Sequence, residues 1–169
     1  MENIRKLPSL NAGDAIKSVL SNLTNFKGRA RRSELWWYWL VYFLVATVLN
    51  FTLSMYLQSV ISLLLQLTLW SVTVRRLHDR GHDGWWVAAA IIIGIVGNVY
   101  LAQSDFYEIM ATVNPDVDAA MATLRSPVLM ILGLLSFIVN ITIFVFCVLD
   151  GKPGDNKYGP SPKYVPDDK

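Results

Sequence analysis

A run of 40 residues without a charged side chain, Leu35 to Val74, limits the possible folds more than any other feature of the chain. One helix needs about 20 apolar residues to cross the hydrocarbon core of a membrane, so this run is long enough for two crossings. Two further charge-free runs follow, at about 85–103 and about 127–149. We therefore predict an all-α protein, a transmembrane bundle of four spans.

The first run must contain a turn, although no Gly or Pro marks it. We place the turn around Ser54 to Ser59, where Gln58 and Ser59 dilute the apolar pattern. The predicted organisation is a single membrane domain. Its parts are an amphipathic helix with a basic turn (1–34), a two-helix hairpin (about 35–74), a hinge (75–84), a third span (about 85–103), an acidic loop (104–126), a fourth span (about 127–149) and a tail (150–169).

The distribution of Lys and Arg predicts the orientation. Residues 1–34 hold seven of them, the hinge three and the tail four, whereas the acidic loop holds one. Loops rich in Lys and Arg stay on the cytoplasmic side of a membrane. We expect both termini and the hinge to be cytoplasmic, and the hairpin turn and the acidic loop to face outward.

The segment from Asn11 to Phe26 has the pattern of a short amphipathic helix that is too polar to span. It carries Ile16, Val19, Leu20 and Leu23 at helical spacing, with Asn11 available as a cap. Two placements remain open: the helix lies in the membrane interface, or it docks on the cytoplasmic ends of the spans. After the basic turn, Ser33 is the expected N-cap of the first span, with Glu34 near the positive end of that helix.

The hinge groups seven ionisable side chains within nine residues, from Arg75 to Asp83. Trp85 and Trp86 follow directly, and tryptophan rings favour the headgroup level of a membrane. We expect the hinge to lie at the membrane surface, where its charges reach water.

Three motifs, each at the cytoplasmic edge of a predicted span, resemble one known family. They are Phe26-x-Gly28-Arg29-x-x-Arg32-x-Glu34-x-Trp36, Val74-Arg75-Arg76-Leu77-His78-Asp79-x-Gly81-x-x-Gly84-Trp85-Trp86 and Gly154-x-Asn156-x-Tyr158-Gly159-Pro160-x-Pro162. In this order they resemble the bacterial inner-membrane family known as domain of unknown function 805. The resemblance implies a small multi-span protein of that membrane without an established activity. His82 and Asp83 depart from the family's pattern, and the acidic loop looks longer than in many members.

Two other functions are alternatives. His78-Asp79 and His82-Asp83 suggest a metal-dependent hydrolase, because histidines four apart can share a helix face and hold a metal. The amides of the spans suggest an oligomeric channel or small-solute transporter, although the spans carry no carboxylate, His or basic side chain. These amides are Asn50, Gln66, Asn98 and Asn140.

The preferred hypothesis is a non-enzymatic membrane module without metal or cofactor and without nucleic acid as a partner. Its basic cytoplasmic face would bind anionic lipid headgroups or an unidentified acidic protein. The alternative is that these arginines only set the topology and neutralise nearby carboxylates. The face consists of Arg29, Arg31, Arg32, Arg75, Arg76 and Arg80.

The three motifs are expected to meet in one cytoplasmic cap, because an antiparallel bundle brings its cytoplasmic ends together. Asp79 would be the buried acceptor of an arginine, and the tail would fold back so that the Tyr158 ring packs on aromatic residues of the hinge or first span. A disordered tail is the alternative. The predicted cap residues are Arg29, Arg32, Glu34, Arg75, Arg76, His78, Asp79, Trp85, Trp86, Asn156 and Tyr158.

Overall fold

The computed structural model describes residues 4–52 and 55–167, without the side chains of residues 55, 56 and 59. Helices are the main elements of the described chain, and two strands of three residues each accompany them. Four of its helices contain spans long and apolar enough to cross a membrane, Arg32–Thr52, Val60–Arg80, Trp85–Ala102 and Pro127–Val148, which confirms the predicted four-span, all-α class. The elements are α1 (Ala12–Leu20), α2 (Arg32–Thr52), α3 (Met55–Arg80), α4 (Trp85–Ala102), α5 (Phe106–Ala111), α6 (Val117–Leu124), α7 (Pro127–Val148), β1 (Ile4–Lys6) and β2 (Tyr164–Pro166).

The chain divides into two compact units. The first comprises residues 1–84 and 145–169, and the second comprises residues 85–144. The predicted cap falls in the first unit, except for Trp85 and Trp86, which begin α4 in the second.

Helices α2 and α3 of the first unit form an antiparallel pair that polar side chains hold in register. Gln58 donates to Asn50 (2.8 Å), and Tyr42 donates to Gln66 (2.9 Å). Two of the four amides discussed above therefore bond between helices. Helix α3 already includes residues 55–59, so these residues do not form the turn expected around Ser54 to Ser59; Ser54 itself is outside the described residues.

Helix α3 continues through Arg80, so the first six residues of the predicted hinge are helical. Gly81 ends the helix with a φ of 85°, in the left-handed region that glycine adopts without strain. The amide of Gly81 donates to His78 O (2.9 Å) and that of His82 to Leu77 O (3.0 Å), which satisfies the last carbonyls of the helix. The connection to α4 is thus only residues 81–84.

Helix α1 begins as expected, with the Asn11 side chain accepting from the amide of Asp14 (2.8 Å), but it ends at Leu20 rather than near Phe26. It packs on the first unit with Ala15 and Val19 buried. Ser33 is not the N-cap of the first span, because α2 already begins at Arg32. The Ser33 hydroxyl instead accepts from the amide of Leu10 (3.4 Å).

The two ends of the described chain pair with each other. Strand β1 runs antiparallel to β2, with Ile4 opposite Pro166 and Lys6 opposite Tyr164. The amide of Leu7 extends this pairing to Lys163 O (2.8 Å). The described part of the tail therefore lies against the first unit, in the arrangement that the cap hypothesis expects.

The second unit contains more helix than predicted, because the acidic loop carries α5 and α6. Asp116 caps α6 by accepting from the amide of Ala119 (3.0 Å). On the long helices, Asn98 donates to Gly94 O and Asn140 to Ser136 O, each on its own helix (both 2.8 Å).

Candidate functional site

The candidate site is the cluster at the end of α3 where the segment 28–34, residues 75–83 and the tail from 148 to 164 meet; we call it the cap. Asp79 is its buried centre, with 3% of its side chain exposed. Arg29 approaches one carboxylate oxygen through Nε (2.9 Å) and Nη2 (2.8 Å), and Arg76 donates to the other. Two arginines thus share one buried carboxylate, and such charge-assisted bonds are the strong ones in proteins.

The Arg29 guanidinium also connects α3 to the tail. Its Nη1 donates to Gly154 O (2.7 Å) and Gly159 O (3.2 Å), and its Nη2 donates to Lys152 O (2.6 Å). Only 1% of the side chain is exposed. The first and third sequence motifs therefore meet at this residue.

Three other arginines bind carbonyls at the end of α7, which a helix leaves without internal partners. Arg76 donates to Cys147 O (3.2 Å) and Leu149 O. Arg32 donates to Val148 O (3.0 Å), and Arg80 donates to Asp150 O (2.7 Å). A cation at a helix C-terminus also interacts favourably with the helix dipole.

Gly151 occupies a position against Asp79 that the sequence analysis did not identify. A Cβ built on it would lie 2.0 Å from Asp79 Oδ2, so only glycine fits without a shift. The next amide, that of Lys152, donates to Asp79 O (3.1 Å). The sequence shows a glycine after the fourth predicted span. Its contact with Asp79, however, depends on the path by which the tail folds back onto α3.

The tail forms a tight turn on the end of α3. Asn156 and Gly159 exchange backbone hydrogen bonds, and the Asn156 side chain donates to His78 O (2.9 Å). The Tyr158 ring stacks on His78, with centroids 3.7 Å apart and an interplanar angle of 5°. The Tyr158 hydroxyl donates to Asp83, which Lys157 also contacts (2.7 Å). Hydrogen bonds from Lys157 and then Tyr158 lower the pKa of the Asp83 carboxyl.

Both histidines of the suspected metal motif are engaged in packing. His78 Nδ1 lies 3.1 Å from Gly28 O, and because a carbonyl only accepts, this nitrogen carries the proton. His82 stacks on Phe146 at 3.9 Å. Burial and then the charges of Arg80 and Lys152 lower the pKa of His82. No group of three His, Cys, Asp or Glu side chains suited to a metal occurs within the described ranges.

Glu34 and Arg75 form a second buried contact, between α2 and α3. The Glu34 carboxylate accepts from Ser18 Oγ (2.8 Å) and the Arg31 amide (2.9 Å), whereas Arg75 Nη1 is 3.8 Å away. Arg75 Nε and Nη2 are buried and have no hydrogen-bond partner among the described residues. This pair is looser than the one at Asp79.

The face of six arginines expected from the sequence is not a single surface. Arg29, Arg75 and Arg76 are buried, with 8, 4 and 0% of the residue exposed, so they act inside the fold. The sequence indicated an arginine beside a buried Asp79, but it did not indicate that three arginines are buried, because Arg29 and Arg75 reach carboxylates more than 40 residues away and Arg76 also binds backbone carbonyls of α7 and the residue after it.

A cavity of about 800 Å³ lies beside the cap, at the level where α2 begins and α7 ends. Five cationic and two acidic side chains line it, a local excess of three positive charges. Trp36 also lines the cavity. It lies one turn into α2, and tryptophan at such a position is typical of a membrane interface. The charged lining residues are Lys6, Arg31, Arg32, Arg76, Asp79, Asp150 and Lys163.

Asp150 lies in the part of the cavity wall that the tail forms, and its carboxylate is contacted by three side chains. Lys163 Nζ and Tyr164 Oη donate to its carboxylate, and Arg32 Nε lies 3.7 Å from it. Although burial opposes ionisation, the bonds from Lys163 and Tyr164 and the nearby positive charges lower the pKa of Asp150 to about 2. Sequence reasoning missed Lys6, Asp150 and Lys163, because the β1–β2 pairing that brings them together has no signal in three-residue strands.

Comparison with known proteins shows which sequences this chain resembles. The family model described as "Protein of unknown function (DUF805)" matches residues 23–160, which include the first two motifs and the third as far as Pro160. The Escherichia coli (strain K12) protein named "Inner membrane protein YhaH" is 28% identical over 158 residues, covering 88% of this chain and 95% of that protein. "Inner membrane protein YhaI" of the same strain is 25% identical over 153 residues, covering 87% and 93%. No solved structure matches the chain.

Proposed function

We propose, from the premise that this chain belongs to the DUF805 family of inner membrane proteins, that it is a non-catalytic membrane module whose cap binds the headgroup of an anionic lipid. The observation that carries the proposal is the cavity beside the cap, with its excess of positive charge at the boundary of two spans. The headgroup phosphate is the part of the lipid that this cavity would recognise.

The arginines divide into two groups with different tasks. Arg29 and Arg76 are saturated by Asp79 and by backbone carbonyls, so they hold the cap together. Arg31 and Arg32 line the cavity and retain solvent-accessible surface, with 44% of the Arg32 side chain exposed. The second group supplies the charge that an anion meets on entering.

The energetics favour an anion that already resides in the membrane. Each basic residue near an anionic membrane surface contributes about 1 kcal/mol of attraction. Arg32 is the first residue of one span and Val148 the last residue of another, so both cavity walls lie at headgroup level. A lipid reaches this position by diffusing in its leaflet, without losing contact between its acyl chains and the spans.

The proposal includes the orientation. Residues 1–34, the hinge and the tail together carry 14 of the chain's 15 Lys and Arg residues. The remaining one is Arg125. By the positive-inside rule the cap faces the cytoplasm. The cavity would therefore take its ligand from the cytoplasmic leaflet.

Lipid retention by the purified protein tests the proposal. The protein is extracted in mild detergent from vesicles holding equal amounts of phosphatidylglycerol and phosphatidylethanolamine, and the bound lipid is quantified by mass spectrometry. We expect enrichment of phosphatidylglycerol at moderate salt, reduced at least threefold in Arg31→Gln/Arg32→Gln. The matched control Lys17→Gln/Lys27→Gln removes the same charge from exposed residues outside the cavity and should retain the enrichment.

Two results would reject headgroup binding at this site. One is wild-type protein that retains both lipids equally. The other is a loss of enrichment of the same size in both double variants, which would indicate diffuse attraction by net charge.

A further inference from the structure

The segment from Leu20 to Phe26, between α1 and the cap, presents large apolar side chains on its outer side. Leu20, Leu23 and Phe26 are 52, 45 and 42% exposed. On its inner side, α1 buries Val19 against the first unit. A grouped apolar surface of this kind marks an interaction site.

The register of α2 against α3 gives the depth of this segment. Tyr42 of α2 bonds to Gln66 of α3. Nearer the cap, Glu34 of α2 faces Arg75 of α3. Ser71 lies between Gln66 and Arg75 on α3, so it lies level with the part of α2 between Tyr42 and Glu34. That part carries Trp36, Trp37 and Trp39, which form an aromatic belt typical of the boundary between headgroups and acyl chains.

Ser71 ties the segment to this depth. Its hydroxyl is buried and lies within hydrogen-bond distance of two carbonyl oxygens of the segment, those of Asn22 (3.1 Å) and Asn25 (2.8 Å). These contacts hold the turn between α1 and the cap at the depth of the tryptophans.

Three polar side chains of the segment, those of Ser21, Asn22 and Asn25, donate hydrogen bonds to nearby groups of the segment or of α1, which lowers the cost of leaving water. The Asn22 side-chain Nδ2 donates to Ser18 O (2.9 Å), and the Asn25 side-chain Nδ2 donates to Asn22 Oδ1 (2.9 Å). The Ser21 hydroxyl donates to Lys17 O (2.5 Å). These local bonds make the turn compatible with an apolar surrounding.

We propose that residues 20–26 are inserted among the lipid acyl chains of the leaflet that holds the cap, with Leu20, Leu23 and Phe26 as the lipid contacts. Both placements considered for the N-terminal helix then hold together: α1 docks on α2 and α3, and the turn that follows lies in the membrane. The lipid surface is continuous with that of α2, where Trp39 and Phe43 are 47 and 55% exposed.

Site-directed spin labelling of the full chain in vesicles tests this insertion. In a Cys147→Ala background, a nitroxide is attached at Leu23→Cys or Phe26→Cys, and its collision rates with oxygen and with a water-soluble nickel chelate are compared. Asp14→Cys and Lys17→Cys, exposed on α1, serve as aqueous controls, and Phe43→Cys serves as the acyl-chain control. Circular dichroism and a monodisperse elution profile verify folding, and Leu20→Cys replaces either test site if that variant does not fold.

We expect the oxygen-to-nickel ratio at residues 23 and 26 to exceed that at residues 14 and 17 by at least threefold and to approach that at residue 43. Ratios at 23 and 26 equal to those at 14 and 17 would overturn the inference. The outcome is independent of headgroup binding, because neither label lies in the cavity.

Discussion

Gly151 lies so close to Asp79 that a Cβ on Gly151 would be 2.0 Å from the Asp79 carboxylate oxygen. The tail therefore passes directly over the carboxylate that Arg29 and Arg76 share. Any side chain at this position must displace either the tail or the buried ion pairs.

Replacing Gly151 with alanine should destabilise the protein by about 1–3 kcal/mol, the usual cost of overpacking a buried site. Thermal unfolding in detergent measures the loss as a lower midpoint. Gly97→Ala is the control, because a Cβ at Gly97 meets nothing within 4 Å and should leave the midpoint unchanged or slightly higher. Equal effects of the two substitutions would contradict the close contact with Asp79.

The neighbouring arginines Arg75 and Arg76 should differ in their importance. Arg76→Met removes a partner of buried Asp79 and the donor to the carbonyls that end α7, and breaking such a buried pair costs about 3–5 kcal/mol. Arg75→Met should cost less, because Arg75 makes only a 3.8 Å contact with Glu34, which keeps its bond from Ser18. Unfolding midpoints that fall equally, or further for Arg75→Met, would show that the assignment of partners is incorrect.

The stacking of Tyr158 on His78 should hold the tail turn, whereas the exposed contact with Asp83 should add little. Stacked aromatic pairs contribute about 0.5–1.5 kcal/mol beyond the area that they bury. We expect Tyr158→Phe to leave tryptic cleavage of the tail at its wild-type rate and Tyr158→Ala to accelerate it severalfold. Faster cleavage in both variants would mean that the hydroxyl is the essential contact.

The contact between Asp150 and Lys163 should persist in mild acid. The folded pKa of Asp150, about 2, lies below its ordinary 3.8. The ionised carboxylate therefore stabilises the fold fully above pH 3.8, and this contribution is lost as the pH falls through 2. Hydrogen exchange of the β1–β2 amides should be unaffected by this group from pH 7 to 5, after correction for intrinsic rates.

Asp150→Asn separates this group from the other carboxylates. The variant should show faster β1–β2 exchange already at pH 7, and it should lack the additional loosening that the wild type shows below about pH 3. Wild-type loosening between pH 6 and 5 that is absent from Asp150→Asn would contradict the lowered pKa.

The sequence predicted the spans because lipid imposes a requirement that can be counted residue by residue. The charge-free runs around α2, α4 and α7 have the length of a bilayer crossing whatever they pack against. It also predicted Asp79 as a buried acceptor, since a carboxylate beside two arginines at the end of a span needs a partner.

The contacts that the tail makes were not predictable. Gly151 and Lys163 act through the path of the tail, and that path depends on a three-residue strand pairing with the other end of the chain. The course of α3 through Arg80 was missed for a related reason. The charged residues from Arg75 to Arg80 suggested an exposed turn. They remain helical, and several are buried, because acceptors on the tail and on α7 bind them.

The distance between arginine guanidinium carbon and lipid phosphorus tests the central claim, headgroup binding beside the cap, most directly. Solid-state magnetic resonance of protein with ¹³C-labelled arginine in phosphatidylglycerol-containing bilayers detects such pairs through ¹³C–³¹P dipolar dephasing. We predict dephasing that is largely lost in Arg31→Lys/Arg32→Lys, which keeps the charge but removes both labelled guanidinium groups from the cavity. Dephasing of undiminished strength in the double variant, or none in the wild type, would contradict the account.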